Sequence, residues 1–153
     1  MIEIDLQAYH SHIEIRKKGN KKYLFDPVRK KELIVQPEEL VRQSWIYYLH
    51  HEHSISMASL SVEKKIKVGQ FSRRYDLIAY QKGTPKVLFE FKSFNVSITD
   101  KACRQIASYN LTLSVQYLVI SNGITHFAYH LDHETNEIRS LSNLTFISEC
   151  RTL

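Results

Sequence analysis

Two stretches of the chain repeat apolar residues at intervals of three and four, which is the spacing of an amphipathic helix. The first begins at Pro37, a residue favoured at the first helical position, and carries two acids in its first turn. It predicts a helix over residues 37–51, with a buried face formed by Leu40, Val41, Trp45, Tyr48 and Leu49. The second follows Thr99, a good helix cap, and predicts a helix over residues 100–113. Its expected buried residues are Ala102, Ile106, Ala107 and Leu113.

Alternating apolar and polar residues predict β-strands in other parts of the chain. After the first helix, the runs SLSVEKKIKV, RRYDLIAY and KVLFEFK predict three strands, and a loop over residues 81–85 joins the last two as a hairpin. The runs QYLVIS and ITHFAYHL flank Asn122-Gly123, a dipeptide typical of hairpin turns. Before the first helix, IEIDL, HIEI and KELIV predict an irregular β-layer with turns at KKGNKK and Asp26-Pro27. The tail after Asp132 predicts a surface connection and then a short helix or strand at NLTFISEC.

This order of elements predicts an α/β (α+β) fold, in which one mixed central sheet is flanked by helices and preceded by the N-terminal β-layer. A length of 153 residues with 43% hydrophobic residues suits one domain over residues 1–153 that needs neither disulfides nor zinc for its core. We expect Cys103 and Cys150 to be reduced thiols. No stretch approaches the ~20 apolar residues of a membrane span. The N-terminal segment does not resemble a signal peptide, so we expect a cytoplasmic protein without a membrane partner.

The formal net charge of +5 is distributed unevenly along the chain. Residues 16–31 contain eight basic residues and one acid, Asp26. A second basic cluster stands just before Asp76 and consists of Lys64, Lys65, Lys67, Arg73 and Arg74. Such charge is often only a solvated face, but it also neutralises the phosphates of nucleic acids. We favour nucleic-acid binding for the second cluster, because it leads directly into the strand that carries Asp76.

The predicted hairpin brings charged residues together. Side chains alternate along a strand, so Glu90 and Lys92 share one face. A five-residue loop pairs Tyr80 with Lys86 and sets Asp76 opposite Glu90, with Cβ atoms about 5 Å apart. Two carboxylates that face each other inside a sheet are unfavourable unless a cation or a proton compensates. The spacing therefore predicts a Mg²⁺ site, with Mn²⁺ as a possible substitute, formed by Asp76, Glu90 and the main-chain carbonyl of Phe91.

These groups suit the hydrolysis of phosphodiester bonds, in which a metal activates water and a lysine orients or deprotonates it. Carboxylates and lysines on a solvated hairpin are also ordinary, so the spacing alone leaves a surface hairpin open as the alternative. Other chemistries lack support: the chain has no Gly-x-Ser-x-Gly motif and, with four glycines, no phosphate-binding glycine-rich loop. The His50-His51-Glu52-His53 run is read as a solvated helix end in preference to a zinc site, because consecutive residues point in different directions.

Several runs of the sequence resemble the N-terminal nuclease domain of type I restriction enzyme R subunits, in the small stand-alone form found in bacteria. The runs are FDPVRKKELIVQPEELVRQ, RRYDLIAYQKGTPKVLFEFKSF, QIASYN and QYLVISNG, and the resemblance covers roughly residues 23–130. It implies a restriction-endonuclease-like core of the PD-(D/E)xK superfamily. By position it implies Asp76, Glu90 and Lys92 as the catalytic set. It adds Glu39 as the acid of the first helix and Gln105 with Tyr109 as a downstream pair.

The residues added by this resemblance also have structural interpretations. Gln105 and Tyr109 share a helix face, where they could bind a phosphate or steady Lys92, or be a surface amide and a partly buried tyrosine. Glu39 could serve only the helix dipole. Glu63 is a further candidate acid, but we expect it to be a solvated strand residue.

The sequence therefore predicts a Mg²⁺-dependent endonuclease that acts on DNA in restriction, defence or repair. The first alternative is a non-catalytic nucleic-acid-binding or assembly module that keeps the fold, and the second is a structural domain whose basic surface binds protein. A homodimer would supply the two active sites that cleavage of both DNA strands often needs, although no interface is visible in the sequence.

Overall fold

Two β-sheets and two α-helices form the fold, which a computed structural model describes for residues 1–151, apart from the side chain of Val68. The elements in chain order are β1 (Ile15–Lys18), β2 (Lys21–Asp26), β3 (Lys31–Ile34), α1 (Pro37–His53), β4 (Leu60–Val68), β5 (Phe71–Gln81), β6 (Thr84–Phe91), α2 (Asp100–Tyr109), β7 (Tyr117–Ser121), β8 (His126–Asp132) and β9 (Glu137–Leu141). Short 3-10 helices span Leu6–His12, Met57–Ser59 and Thr145–Cys150. Within the described part of the chain, no helix is both long and apolar enough to cross a membrane.

The N-terminal segment forms an antiparallel sheet in the order β1-β2-β3. The predicted turn at KKGNKK joins β1 to β2, and KELI forms β3 as expected, whereas β2 was not predicted. The strand predicted at IEIDL is wrong, since only Ile2 makes an isolated bridge, to His126. The Asp5 carboxylate accepts the N–H of Gln7 and thereby caps the 3-10 helix that follows, which explains why the chain does not extend there.

The central sheet has the order β4-β5-β6-β7-β8-β9. Every neighbouring pair is antiparallel except β6 and β7, which are parallel and are connected through α2. The predicted α/β (α+β) class with one mixed central sheet is thus confirmed. The sequence did not predict β9, because EIRSL at the sheet edge is mostly polar and exposed. Of the two predictions for NLTFISEC, a short helix or a strand, the structure forms a helix, the last 3-10 helix.

The turn between β5 and β6 differs from its prediction. Gln81 pairs with Thr84, so the loop contains only Lys82 and Gly83, both with positive φ, and the predicted five-residue loop is wrong. The register shifts between Ala79 and Tyr80, and Lys86 is the extra, unpaired residue of a β-bulge. Tyr80 therefore pairs with Pro85 and not, as predicted, with Lys86. The turn is shorter than predicted, and the extra residue of the bulge compensates for the difference. From the pair of Ala79 with Val87 onward, the register is therefore the predicted one.

The two α-helices cover opposite faces of the central sheet. On one face, Trp45 and Leu49 of α1 pack with Phe89 and Val119 in a buried cluster. On the other face, Cys103 and Ala107 of α2 pack with residues that include Ile78 and Leu88. Each such side chain, when fully buried, stabilises the fold by about 1.5–3 kcal/mol.

Three details of the predicted helices need correction. Leu40, Tyr48 and Ile106 are only partly buried, and Ala102 is exposed, since Cys103 fills the position facing the sheet. Helix α2 ends at Tyr109, earlier than predicted. Asn110 caps it, because its side-chain amide donates to the carbonyl of Ile106 and its backbone N–H donates to carbonyls of the last helical turn. Both cysteines are buried and free.

The connection between β7 and β8 spans residues 122–125 instead of a two-residue Asn-Gly turn. The Asn122 carboxamide oxygen accepts the backbone N–H groups of Ile124 and Thr125, which closes the longer loop. The side-chain amide of Asn122 also donates to the carbonyl of Val96 and ties this loop to the segment that follows β6. The predicted hairpin is therefore present, with a different turn.

Candidate active site

Asp76 and Glu90 lie side by side on neighbouring strands. The pairs Leu77 with Phe89 and Ile78 with Leu88 define the register, and regular pairing of β5 with β6 ends there, one step before Asp76 and Glu90. The Glu90 side chain is 15% exposed and that of Asp76 is 34% exposed. Burial raises the pKa of Glu90 above its ordinary value, Arg73 and Lys92 partly offset the rise, and the negative charge of Asp76 adds to it. The two carboxylates thus interact electrostatically, as the register requires.

Asp76 takes the place of a backbone partner between β5 and β6. Its Oδ2 accepts the N–H of Phe91 at 2.7 Å, and its Oδ1 lies 3.5 Å from a guanidinium nitrogen of Arg42. On a strand, the N–H and C=O of one residue point to the same side. The carbonyl of Phe91 therefore points toward Asp76, whereas the N–H of Lys92 points the other way and donates to Ser121 of β7 at 2.9 Å.

Glu90 is held by residues from β5 and from the end of α2. Its Oε1 lies 3.3 Å from a guanidinium nitrogen of Arg73. The side chain of Asn110, which is fully buried, lowers the pKa of Glu90 by helping to stabilise its charged form. The hydroxyl of Tyr75 donates to the Oδ1 of Asn110 at 2.5 Å and fixes that amide. Sequence reasoning missed Asn110, although an asparagine inside a predicted helix is a signal of a cap or a polar contact.

Lys92 follows the last residue of β6 and is half-buried. Its positive charge lowers the pKa of Glu90, so the ammonium group lies near that carboxylate. Within residues 1–151, no carboxylate lies within 4 Å of this ammonium group, in contrast to Arg42 and Arg73. The Lys92 ammonium thus favours the ionised form of Glu90 and, among the described residues, has no ion-pair partner of its own.

Glu39 belongs to a chain of ion pairs that we call the arginine network, formed by Asp26, Arg29, Glu39, Arg42, Glu63 and Asp76. The Oε1 of Glu39 accepts from Arg29 at 2.5 Å and from Gln43 at 3.1 Å, and its Oε2 accepts from Arg42. Arg42 also lies 3.6 Å from Glu63 and 3.5 Å from Asp76. Glu39 is therefore linked to Asp76 by ion pairs that both make with Arg42. The sequence did not reveal this link.

Arg29 and Arg42 are the central cations of the arginine network. Arg29 contacts Asp26 at 2.5 Å and Glu63 at 3.7 Å, and thereby joins the N-terminal sheet to the strand next to β5. Burial alone would raise the pKa of Glu63, but a hydrogen bond from Arg74 and the charges of the surrounding arginines bring that pKa below its ordinary value. Glu63 is therefore an exposed strand residue, as expected, but it is also paired with arginines.

Gln105 and Tyr109 lie on the exposed side of α2. Tyr109 is 59% exposed, so the alternative of a partly buried tyrosine is wrong. Within the described residues, neither side chain hydrogen-bonds to Asp76, Glu90 or Lys92. The structure thus groups Asp76, Glu90 and Lys92, links Glu39 to them through Arg42, and leaves the downstream pair without direct contact to them.

The second basic cluster lies on β4 and β5, next to these carboxylates. Arg73 contacts Glu90, Arg74 contacts Glu63, and the Lys64 ammonium lies 5.9 Å from the ring centroid of Tyr80. Lys65 and Lys67 are exposed. Arg73 and Arg74 are thus paired with acids, whereas Lys65 and Lys67 are exposed and could bind a polyanion.

The groups that could hold a metal here are all oxygen donors: the carboxylates of Asp76 and Glu90 and the carbonyl of Phe91. Mg²⁺ prefers such donors, uses few protein ligands and keeps several waters, so the donor set fits this ion. Among the residues that the structure describes, no group of three or more His, Cys, Asp or Glu side chains could hold a metal. A metal bound here would therefore depend on two carboxylates and the main chain.

The histidine run at the end of α1 does not converge on one point. His50 Nδ1 contacts the carbonyl of Ile55 at 2.9 Å, and His53 Nε2 contacts the Tyr48 hydroxyl at 3.1 Å. The His51 ring stacks on His12, with centroids 4.2 Å apart. These side chains serve local contacts at the helix end.

Comparison with known families gives a match over most of the chain. Residues 37–144 match the family described as Type I restriction enzyme R protein N terminus (HSDR_N). The match covers 144 − 36 = 108 of the 153 residues, and it runs from α1 to just beyond β9. It includes Glu39, Asp76, Glu90 and Lys92, whereas the N-terminal sheet lies outside it. No curated protein is similar enough to the chain to count as a match.

Proposed function

This chain belongs to the family of type I restriction enzyme R protein N termini, and from that membership we propose that it hydrolyses phosphodiester bonds of DNA in a metal-dependent reaction. The observation that carries the proposal is the pair of Asp76 and Glu90. Glu90 is buried with a raised pKa next to a second carboxylate, an arrangement that a bound cation would relieve. Burial of Glu90 next to a second carboxylate destabilises the fold, and such local destabilisation is typical of a functional site.

Asp76, Glu90 and the carbonyl of Phe91 would hold Mg²⁺, with Mn²⁺ as a substitute. When bound, this ion polarises the phosphoryl group and lowers the pKa of a water molecule. The protein supplies the orientation of its own groups. The N–H of Phe91 fixes one oxygen of Asp76, and Arg42 fixes the other. Asn110 and Tyr75 fix the position of Glu90.

Lys92 is proposed to orient the attacking water and to help remove its proton, since its positive charge acts on Glu90 and it has no ion-pair partner among the described residues. Arg73, Arg74, Lys64, Lys65 and Lys67 would neutralise phosphates along the DNA. Gln105 and Tyr109, both exposed on α2, are free to hydrogen-bond a substrate phosphate. Two copies of the chain would supply the two sites that cleavage of both strands often needs.

Lys92→Ala tests the catalytic proposal most simply. Supercoiled plasmid and branched DNA are incubated with the purified chain in the presence of Mg²⁺ or Mn²⁺, and nicking is followed over time. We expect the wild-type chain to cleave, EDTA to stop the reaction, and Lys92→Ala to lower the rate at least about a hundredfold, as for the loss of a group that handles a proton.

Lys101→Ala is the matched control for this experiment, because Lys101 is an exposed lysine at the start of α2 and has no partner at the site. Its rate should equal that of the wild-type chain. Cleavage that persists in EDTA, or that Lys92→Ala leaves unchanged, would contradict the proposal.

A second candidate function is a non-catalytic module that binds nucleic acid. It is favoured by the guanidinium groups of Arg42 and Arg73, which lie at 3.5 and 3.3 Å from the two carboxylates and offset their charge without a metal. Binding to DNA without cleavage of any substrate, in either metal, would favour this module over the enzyme.

A further inference from the structure

The hairpin of β4 and β5 extends past the carboxylates. Strand β6 ends at Phe91, one residue beyond Glu90, whereas β4 and β5 remain paired with each other from Lys65 with Arg74 to Val68 with Phe71. We call residues 65–74 the distal hairpin. At about 3.3 Å per residue, its tip at Phe71 lies roughly 17 Å along the strand from Asp76. The distal hairpin thus projects from the candidate active site as a two-stranded arm.

The tip of the distal hairpin carries an exposed aromatic ring. Phe71 is 81% exposed, more than any other large hydrophobic residue that the structure describes. Arg73 shares the face of this ring, and the exposed basic side chains of Lys65, Lys67 and Arg74 lie on the other face of the hairpin. An aromatic ring this exposed at the end of a basic arm is unfavourable in water and has no role in the core. The same combination is used by proteins that neutralise phosphates and place a ring against bases.

The ring also lies on the face of the sheet that carries Glu90. Side chains alternate along β5, so Phe71, Arg73 and Tyr75 share one face. Arg73 contacts Glu90, and its guanidinium carbon lies 5.9 Å from the ring centroid of Tyr75. A DNA strand whose phosphate lies at Glu90 would therefore pass along Arg73 toward Phe71.

We propose that Phe71 inserts against an unstacked base of the bound DNA, so that the preferred substrate is a duplex with an unpaired or bulged base near the cleavage site. This inference rests on the proposed function for its choice of DNA. Unstacking a paired base costs free energy, and the cost is smallest where the base is already unpaired. At 3.4 Å per nucleotide, the 17 Å from Asp76 to Phe71 correspond to about five nucleotides.

Fluorescence of 2-aminopurine tests this inference without cleavage. The probe base is placed in a bulge of a short duplex, and the full chain is added without divalent metal. We expect the wild-type chain to change the probe fluorescence as the ring stacks on it, and Phe71→Ala to abolish this change. We expect Phe71→Ala to weaken binding to the bulged duplex on the order of tenfold, as for the loss of one stacked base, while Phe71→Trp retains it.

Ile124→Ala is the matched control, because Ile124 is 67% exposed in the loop between β7 and β8 and has no basic cluster around it. It should behave as the wild-type chain. An equal fluorescence change and equal affinity in wild type and Phe71→Ala would overturn the inference, as would a failure of the wild-type chain to bind the bulged duplex. A change in sedimentation of Phe71→Ala would also overturn it, since the ring would then serve contact between copies.

Cleavage is measured separately with Mg²⁺ so that the two proposals fail independently. A chain that shows the Phe71-dependent signal but never cleaves supports this inference and contradicts the catalytic proposal. A chain that cleaves bulged and perfect duplexes equally well, with and without Phe71, supports the catalytic proposal and overturns this inference.

Discussion

Replacing Glu90 with glutamine is expected to abolish DNA cleavage and, at the same time, to stabilise the folded protein. Glutamine keeps the shape of the side chain but cannot neutralise a bound cation. Mutation of a residue that only hydrogen-bonds to a metal ligand typically lowers metal affinity or activity by about 10–100-fold. Removing the charge of the ligand itself should therefore lower the cleavage rate by more than that. The rate of plasmid nicking with Mg²⁺ measures this effect.

The gain in stability follows from the direction of the Glu90 pKa. Burial raises this pKa in the folded protein, so the ionised form is more costly in the folded state than in the unfolded chain. The cost is absent in acid, where the carboxyl is protonated in both states, and it develops as the pH rises through the folded-state pKa. Glu90→Gln should therefore raise the free energy of unfolding at neutral pH, and this gain should disappear at acidic pH.

Urea unfolding without divalent metal, at neutral and at acidic pH, measures the stability of the Glu90→Gln variant. Glu134→Gln is the matched control, since Glu134 is exposed in the turn between β8 and β9, and it should change neither stability nor cleavage. A variant that is less stable than the wild-type chain at neutral pH would show that Glu90 serves the fold and not a ligand.

Replacing Arg42 with methionine is expected to cause the largest loss of stability among the charged residues of the site. Arg42 is 6% exposed and contacts Glu39, Glu63 and Asp76, which are 12%, 37% and 34% exposed. Removing one partner of a buried pair typically costs 3–5 kcal/mol, because a charge is left buried without compensation. Since Asp76 and Glu63 are partly solvated, we expect a loss of about 3 kcal/mol, measured by urea unfolding.

Arg139→Met provides the comparison for Arg42→Met. Arg139 pairs with Glu137 at 3.0 Å, but both side chains are more than half exposed, so the loss should be below about 1 kcal/mol. The double variant Arg42→Met with Glu39→Gln removes one of the uncompensated charges and should recover part of the stability. If Arg42→Met costs no more than Arg139→Met, the arginine network does not stabilise the site.

The register that brings Asp76 near Glu90 could be predicted from the sequence, although the turn that was assumed was wrong. The alternation of KVLFEFK with RRYDLIAY allows few registers that keep Leu77 and Phe89 in the core, and this burial fixed the pairing. The bulge at Lys86 then accommodated the shorter turn. Hydrophobic burial thus determined the site more strongly than the local turn residues did.

The partners of the two acids could not be predicted, because they are distant in sequence. Arg42 and Asp76 are separated by 34 residues, and Tyr75 and Asn110 by 35. Such contacts depend on how α1 and α2 pack on opposite faces of the sheet, which a periodic pattern does not define. Glu39 and Arg42 do have the spacing of neighbours on a helix, a local signal of one link of the arginine network that the prediction did not include.

A crystal of the protein soaked in Mn²⁺ tests most directly whether Asp76 and Glu90 bind a metal. The proposal predicts an anomalous peak between the two carboxylates, near the carbonyl of Phe91, with Arg42 and Arg73 moved away from the acids. The peak should vanish in Glu90→Gln crystals. A soaked crystal with no peak at this place, and with both arginines still paired to the carboxylates, would contradict the account of a metal-dependent nuclease.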